Sequence, residues 1–215
     1  MDTIQHLTSY ILHIDRYLIA FASNYGIWTY GLLFTIIFCE TGLVITPFLP
    51  GDSLLFAAGA LTAHTHQAIS VHLLFILLTI ASILGNMVNY FIGRLVGPKV
   101  FAFPKSRLLN PTYLTQAHRF YQRHGGKTII IARFIPIIRT FGPFVAGIAS
   151  MSYPRFFFYN LVGAVLWIGG LLYTSFFFGS LPLIRDNFSL IVIGIIVVSL
   201  LPPVIAFIFK PRNGG

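Results

Sequence analysis

Residues 27–62 constrain this chain more than any other stretch: they are mostly apolar, yet too many for one simple membrane helix. A bilayer core is crossed by about 20 residues of α-helix. Pro47, Pro50 and Gly51 break the middle of the stretch, and Glu40 and Asp52 flank the break in the segment CETGLVITPFLPGD. Proline removes a backbone donor and clashes with the preceding turn. At membrane depth such a break is tolerated only where it is buried in protein or lines a cavity. Two short helices meeting at a re-entrant turn satisfy both constraints.

Composition agrees. Hydrophobic residues make up 56% of the chain and charged residues 9%, with a mean hydropathy of +0.84. Soluble domains carry about 25% charged residues, so a water-soluble globule is excluded and an all-α integral membrane protein is expected, as one domain over 1–215. The formal net charge of +9 would point to nucleic acid in a soluble protein. Here the basic residues sit mainly between apolar spans, where the positive-inside rule accounts for them, and no nucleic-acid partner is expected. Cys39 is the single cysteine, so no disulfide can form within the chain. The start, MDTIQHLTSYILHIDR, lacks the basic opening and small-residue cleavage site of a signal peptide, which predicts no cleavage.

Along the rest of the chain, apolar residues of 4–24 recur at three- and four-residue steps, interrupted by His13, Asp15 and Arg16. This pattern predicts an amphipathic helix at the interface. Residues 71–97 predict a spanning helix ended by Pro98, with Asn86, Asn89 and Arg94 turned toward the bundle interior. Residues 98–127 hold Lys99, Lys105, Arg107, Arg119, Arg123 and Lys127 and no acid, which places this loop in the cytoplasm. Its second part, PTYLTQAHRFYQRHGGK, reads as a short basic helix. Residues 128–150 form a second apolar segment broken by Pro136 and Pro143 and carrying Arg133 and Arg139. Spanning helices are expected over 156–179 and 188–209, the last ending at Lys210 and Arg212 on the cytoplasmic side.

An internal repeat emerges. Each unit runs amphipathic helix, broken apolar segment, spanning helix, over about 4–97 and about 110–179, with 188–209 as an additional span. PFLPGDSLLFAAGAL and FGPFVAGIAS share a proline–phenylalanine entry into a run of small residues. One crossing separates the units, so they would be inverted in the membrane, an arrangement with broken helices that marks transporters. The repeat puts the N-terminus outside; a true first span would put it in the cytoplasm.

The charges inside apolar sequence are the candidate site. A charge at the bilayer centre costs about 2.5–3.5 kcal/mol on insertion scales. Glu40 and Asp52 are expected to couple protons or cations; the structural alternative makes Asp52 a cap for the helix SLLFAAGA. Arg133 and Arg139 offer planar forks of donors to a phosphate or other anion; the alternative makes them structural partners of the acids. Half-helix N-termini near Gly51–Ser53 and Pro143–Val145 would add unpaired N–H groups that favour an anion. Gly51, Gly59, Gly142 and Gly147 serve tight turns or close helix approach. Trp28, Trp167 and the tyrosines read as interface anchors or packing.

Enzyme chemistry finds no support. The chain has no His-Glu-x-x-His, no Gly-x-Ser-x-Gly and no P-loop. His64, His66 and His72 match no common metal site, and His118 and His124 lie on the basic loop. No catalytic residue, metal or cofactor is expected.

The segments FCETGLVITPFLPGDSLLFAAGAL, HGGKTIIIARFIPIIRTFGPFVAGIASMSY and YNLVGAVLW resemble the DedA family of bacterial inner-membrane proteins, with their VTT-type membrane domain. The resemblance runs over nearly the whole chain. It implies two re-entrant segments entering from opposite faces, related by inverted symmetry. It implies a role in membrane homeostasis, proton-motive-force-dependent resistance and recycling of the polyprenyl phosphate carrier lipid. It implies functional roles for two acids and two arginines, matched here by Glu40, Asp52, Arg133 and Arg139. The expectation is a proton-linked transporter of undecaprenyl phosphate in the cytoplasmic membrane, with lipid phosphate and protons as partners. The alternatives are a proton-coupled antiporter for small cations or drugs, and a non-transporting scaffold. The oligomeric state stays open.

Overall fold

The computed structural model describes residues 25–43, 51–64, 69–102, 125–179, 181 and 194. The expected amphipathic helix over 4–24, Pro47, Pro50, His66, the basic helix with His118 and His124, and all of the span over 188–209 except Gly194 lie outside the described residues. Among the described residues every element is helical: α1 (Trp28–Gly42), α2 (Gly51–His64), α3 (Val71–Ala102), α4 (Lys127–Ala132), α5 (Pro136–Ile148) and α6 (Tyr153–Phe178).

The apolar stretch 27–62 forms two helices, α1 and α2, as its prolines require. The second broken segment also forms two, α4 and α5, separated by Arg133–Ile135. Ile135 is extended and Pro136 opens α5. A proline suits that place, because its missing N–H is one the first turn leaves unbonded anyway. Pro143 was expected to break the same segment and start a half-helix; instead it lies inside α5. The break falls wholly at the earlier proline, and the helix forfeits one bond and continues. The same holds for Pro98, the expected stop of the first span: α3 runs through it to Ala102.

Among the described residues, two stretches are long and apolar enough to cross a membrane: Val71–Gly97 of 27 residues and Tyr153–Phe178 of 26 residues. Leu73, Ile76, Ile80 and Leu84 of α3 and Phe158 and Leu166 of α6 are exposed. An apolar face of that extent suits lipid rather than water. On the inner side, Leu33 and Ile37 of α1, Leu54 of α2, Leu78 of α3 and Leu172 of α6 share one core cluster. A second cluster gathers Tyr90, Ile129, Ala146 and Phe156, with the Tyr90 and Phe156 rings stacked at 4.3 Å.

The inward stripe of α3 carries Ser82, Asn86, Asn89, Gly93 and Gly97, all buried. Arg94 does not join it and is exposed. One residue past Gly93 turns the helix by about 100°, enough to carry Arg94 off the stripe.

The packing is reciprocal between the halves. The short helix α2 packs on the long α6 of the other half, and α5 packs on the long α3. Each contact closes on a glycine of a small-residue run. A Cβ on Gly59 would stand 2.4 Å from the Leu172 carbonyl oxygen, and one on Gly147 would stand 2.1 Å from that of Tyr90. Ser175 of α6 donates to the carbonyl of Phe56 in α2. Asn89 of α3 donates to the Thr140 carbonyl of α5 at 2.6 Å and to the Thr41 carbonyl of α1 at 3.4 Å. These bonds tie helix to helix through backbone acceptors and satisfy buried polar side chains in an apolar interior.

Candidate functional site

Glu40 stands in the last turn of α1 and Asp52 in the first turn of α2, so the break between these helices brings two carboxylates together. Gly51 is what lets them meet. Its backbone N–H donates to the Glu40 carboxylate, and a Cβ there would lie 1.8 Å from Glu40 Oε2. The N-terminus of α2 thus faces a carboxylate, where the helix dipole favours negative charge.

Arg139 comes from the first turns of α5, in the other half of the chain. Its Nη2 donates to Glu40 Oε1, and its Nη1 donates to Asp52 Oδ1 at 2.6 Å. One guanidinium therefore bridges two acids. Exposure falls to 1% at Glu40 and 4% at Arg139, while Asp52 keeps 19% and is the member of the trio reachable from outside. Trp167 of α6 completes the group. Its Nε1 donates to Asp52 Oδ1 at 3.0 Å, and the Arg139 Cζ lies 4.6 Å from its ring centroid. A guanidinium over an indole face is attracted by the ring quadrupole.

Arg133 goes elsewhere. It follows α4, is 1% exposed, and its Nη1 donates to Ser82 Oγ of α3 at 2.5 Å. Its Nη2 donates to Asn160 Oδ1 of α6. Asn86 Nδ2 also donates to that oxygen at 3.0 Å, and Asn160 Nδ2 donates to the Ile83 carbonyl at 3.2 Å. Arg133 has no carboxylate partner among the described residues. Gly163 makes room for it: a Cβ there would approach Arg133 Cδ at 2.9 Å.

Thus the structure joins Glu40, Asp52 and Arg139 in one cluster and holds Arg133 in a separate one. Of the turn residues, Gly51 receives the Glu40 carboxylate, Pro136 opens α5, Gly147 admits α3, and Pro143 and Gly142 are buried within α5. The half-helix start expected at Pro143–Val145 is not there; α5 begins at Pro136. Sequence reading missed Trp167, Ser82 and Asn160. Trp28 remains at the surface, 71% exposed, whereas Trp167 lies in the charged cluster. A tryptophan in the middle of an apolar helix has no pattern that separates packing from hydrogen bonding. His72 is engaged with a hydroxyl, its Nδ1 2.9 Å from Tyr173 Oη.

The class defined by these features is a helical membrane protein with charged residues buried between its helices. The VTT domain family matches residues 49–177. The chain is 54% identical over 212 residues to Protein DedA of Escherichia coli strain K12, covering 99% of this chain and 97% of that one. It is 41% identical over 182 residues to an uncharacterized membrane protein of Mycobacterium tuberculosis, covering 84% and 80% of the two chains. It is 36% identical over 153 residues to inner membrane protein YqjA of Escherichia coli strain K12, covering 71% and 69%. No solved structure matches. The chain belongs to the VTT-domain, or DedA, family of membrane proteins.

Proposed function

We propose that this protein is a multi-pass transporter of the bacterial cytoplasmic membrane that moves the phosphate headgroup of a polyprenyl lipid, undecaprenyl phosphate, across the bilayer at the expense of the proton-motive force. The observation that carries the reading is the shared cluster of Glu40, Asp52 and Arg139, in which one buried guanidinium is held by two carboxylates from the other half of the chain.

An arginine fork binds a carboxylate and a phosphate through the same parallel N–H donors. The acids therefore occupy the donors that a phosphate would use. A proton arriving at Asp52 or Glu40 cancels the charge that holds Arg139 and frees its donors for the headgroup. Loss of the proton restores the carboxylate and expels the anion. Arg133 supplies a second positive charge for the phosphate. The lipid tails stay in the bilayer while the head passes between the helices.

The two broken segments, α1–α2 and α4–α5, enter from opposite faces in this reading, as inverted repeats, and the reciprocal packing of α2 on α6 and of α5 on α3 supports that relation. The basic loop and the C-terminus face the cytoplasm. Transport proceeds without covalent chemistry, metal or cofactor. The lipid identity rests on family membership, since the arginines alone accept many anions.

The test is headgroup translocation in proteoliposomes, with and without a pH gradient. Wild type should flip the headgroup and respond to the gradient, and Arg139→Ala should fall to the protein-free rate. Folded protein that flips nothing would refute the reading. Proton-driven cation exchange lost in Glu40→Gln would then identify an antiporter whose acids take the substrate, and loss of both activities would leave a scaffold.

A further inference from the structure

The two buried arginines differ in what satisfies them. Arg139 is held by two carboxylates. Arg133 is equally buried, yet its partners among the described residues are the neutral oxygens of Ser82 and Asn160. Its Nε–H, like that of Arg139, has no hydrogen-bond partner among the described residues, and the side-chain oxygen of Asn86, which shares the Asn160 oxygen with Arg133, has none either. The remaining acids of the chain, Asp2, Asp15 and Asp186, lie outside those residues.

A guanidinium removed from water is held far more tightly by an anion than by neutral oxygens. Neutral acceptors keep the charge in place without satisfying it. The side chains around Arg133 are also ones that can change role. Ser82 accepts from Arg133 through its oxygen and retains a hydroxyl proton to donate. Asn86 and Asn160 carry amide N–H groups that turn toward an anion when the amide rotates. They stand on three separate supports: Ser82 and Asn86 on α3, Asn160 on α6, and Arg133 in the α4–α5 break.

We infer that Ser82, Asn86 and Asn160 form, around Arg133, a neutral-walled receptor for a phosphomonoester oxyanion, in which Arg133 exchanges its Ser82 and Asn160 acceptors for phosphate oxygens and the three neutral side chains become donors. The inference rests on the lipid-phosphate reading and divides its labour. Arg133 with these neutral residues receives the phosphate, and Arg139 with its acids sets when the phosphate is released. Ser82, Asn86 and Asn160 are ligand-positioning residues in this scheme.

Asn160→Asp is the discriminating variant. It is nearly isosteric and places a carboxylate where the neutral amide oxygen stood, so Arg133 acquires an internal counter-ion like that of Arg139. The full-length protein is purified in an uncharged detergent, and thermal unfolding is followed during titration with decyl phosphate, with inorganic phosphate in a parallel arm. Decyl phosphate should raise the unfolding temperature of wild type. In Asn160→Asp its apparent affinity should fall by about tenfold or more, equivalent to one charge-assisted hydrogen bond, while the unfolding temperature without ligand holds or rises. Ser82→Ala, a smaller change, should weaken binding by about threefold to tenfold on the same scale. A shift with decyl phosphate alone assigns the site to lipid headgroups; a shift with both assigns it to phosphate generally.

Asn160→Asp and Ser82→Ala proteins that bind as wild type would overturn the inference, as would a wild type that answers neither phosphate. Should Asn160→Asp fail to fold, Ser82→Ala carries the decision alone. The two readings fail separately. Binding that depends on Arg139 but ignores Asn160→Asp removes the Arg133 receptor and spares lipid-phosphate transport. Binding sensitive to Asn160→Asp with no translocation in proteoliposomes removes transport and spares the receptor.

Discussion

Arg139 and Arg133 lie six positions apart in one broken apolar segment, and the protein treats them oppositely. The first stands on α5 between two carboxylates, with an indole over its face. The second stands before α5 among a serine and asparagines. The difference teaches that burial of a like charge need not mean a like role. A guanidinium with its counter-charge built in is balanced without a ligand. One held, among the described residues, by neutral groups keeps most of its electrostatic demand unmet, and an incoming anion would meet it.

Removing charges one at a time tests the contrast, and the largest effect belongs to Arg139→Ala. It strands the buried Glu40 carboxylate and the half-buried one of Asp52, and should cost about 3–5 kcal/mol of stability, measured by unfolding in detergent. Adding Glu40→Gln and Asp52→Asn should recover most of that loss while leaving translocation abolished. A triple variant no more stable than Arg139→Ala would break the view that charge balance holds this cluster together.

Arg133→Gln should cost less, about 1–3 kcal/mol, because it leaves neutral oxygens unpaired rather than charges. Equal losses at the two arginines would erase the distinction between the clusters. Translocation should nevertheless be lost in both, so that stability and transport separate at Arg133 but fall together at Arg139.

The smallest effect concerns the indole. Trp167→Phe keeps a ring face for Arg139 and deletes the hydrogen bond to Asp52, which should cost about 1 kcal/mol. Its sharper readout is the translocation rate, which should fall below wild type because the indole N–H no longer holds the Asp52 carboxylate beside Arg139. An unchanged translocation rate would confine Trp167 to packing and narrow the Arg139 cluster to its three charges.

The sequence alone determined a good deal. Hydropathy and the scarcity of charge required a helical membrane protein, because few other structures satisfy every backbone group in lipid. Proline fixed where the long apolar stretch must divide, since a missing N–H is a local property that no packing restores. The cost of burying Glu40, Asp52, Arg133 and Arg139 marked them as a candidate site. Local rules also misplaced things. Pro98 read as a stop and Pro143 as a break, yet α3 and α5 run through them, because a helix can survive the loss of one hydrogen bond. Arg94 read as inward, yet a single step of helical rotation carries it out.

Pairing was decided only by the tertiary structure. Nothing in the spacing of Arg133 and Arg139 says which meets an acid. That depends on α5 lying against α3 and α1 while α2 lies against α6, so that residues about 90–100 positions apart share one buried volume. Trp167, Ser82 and Asn160 enter the two clusters for the same reason. Their chemistry is ordinary in sequence and becomes specific when close-packed helices, separated at Gly59 and Gly147 by no more than a missing Cβ, set them against a charge that has no water to turn to.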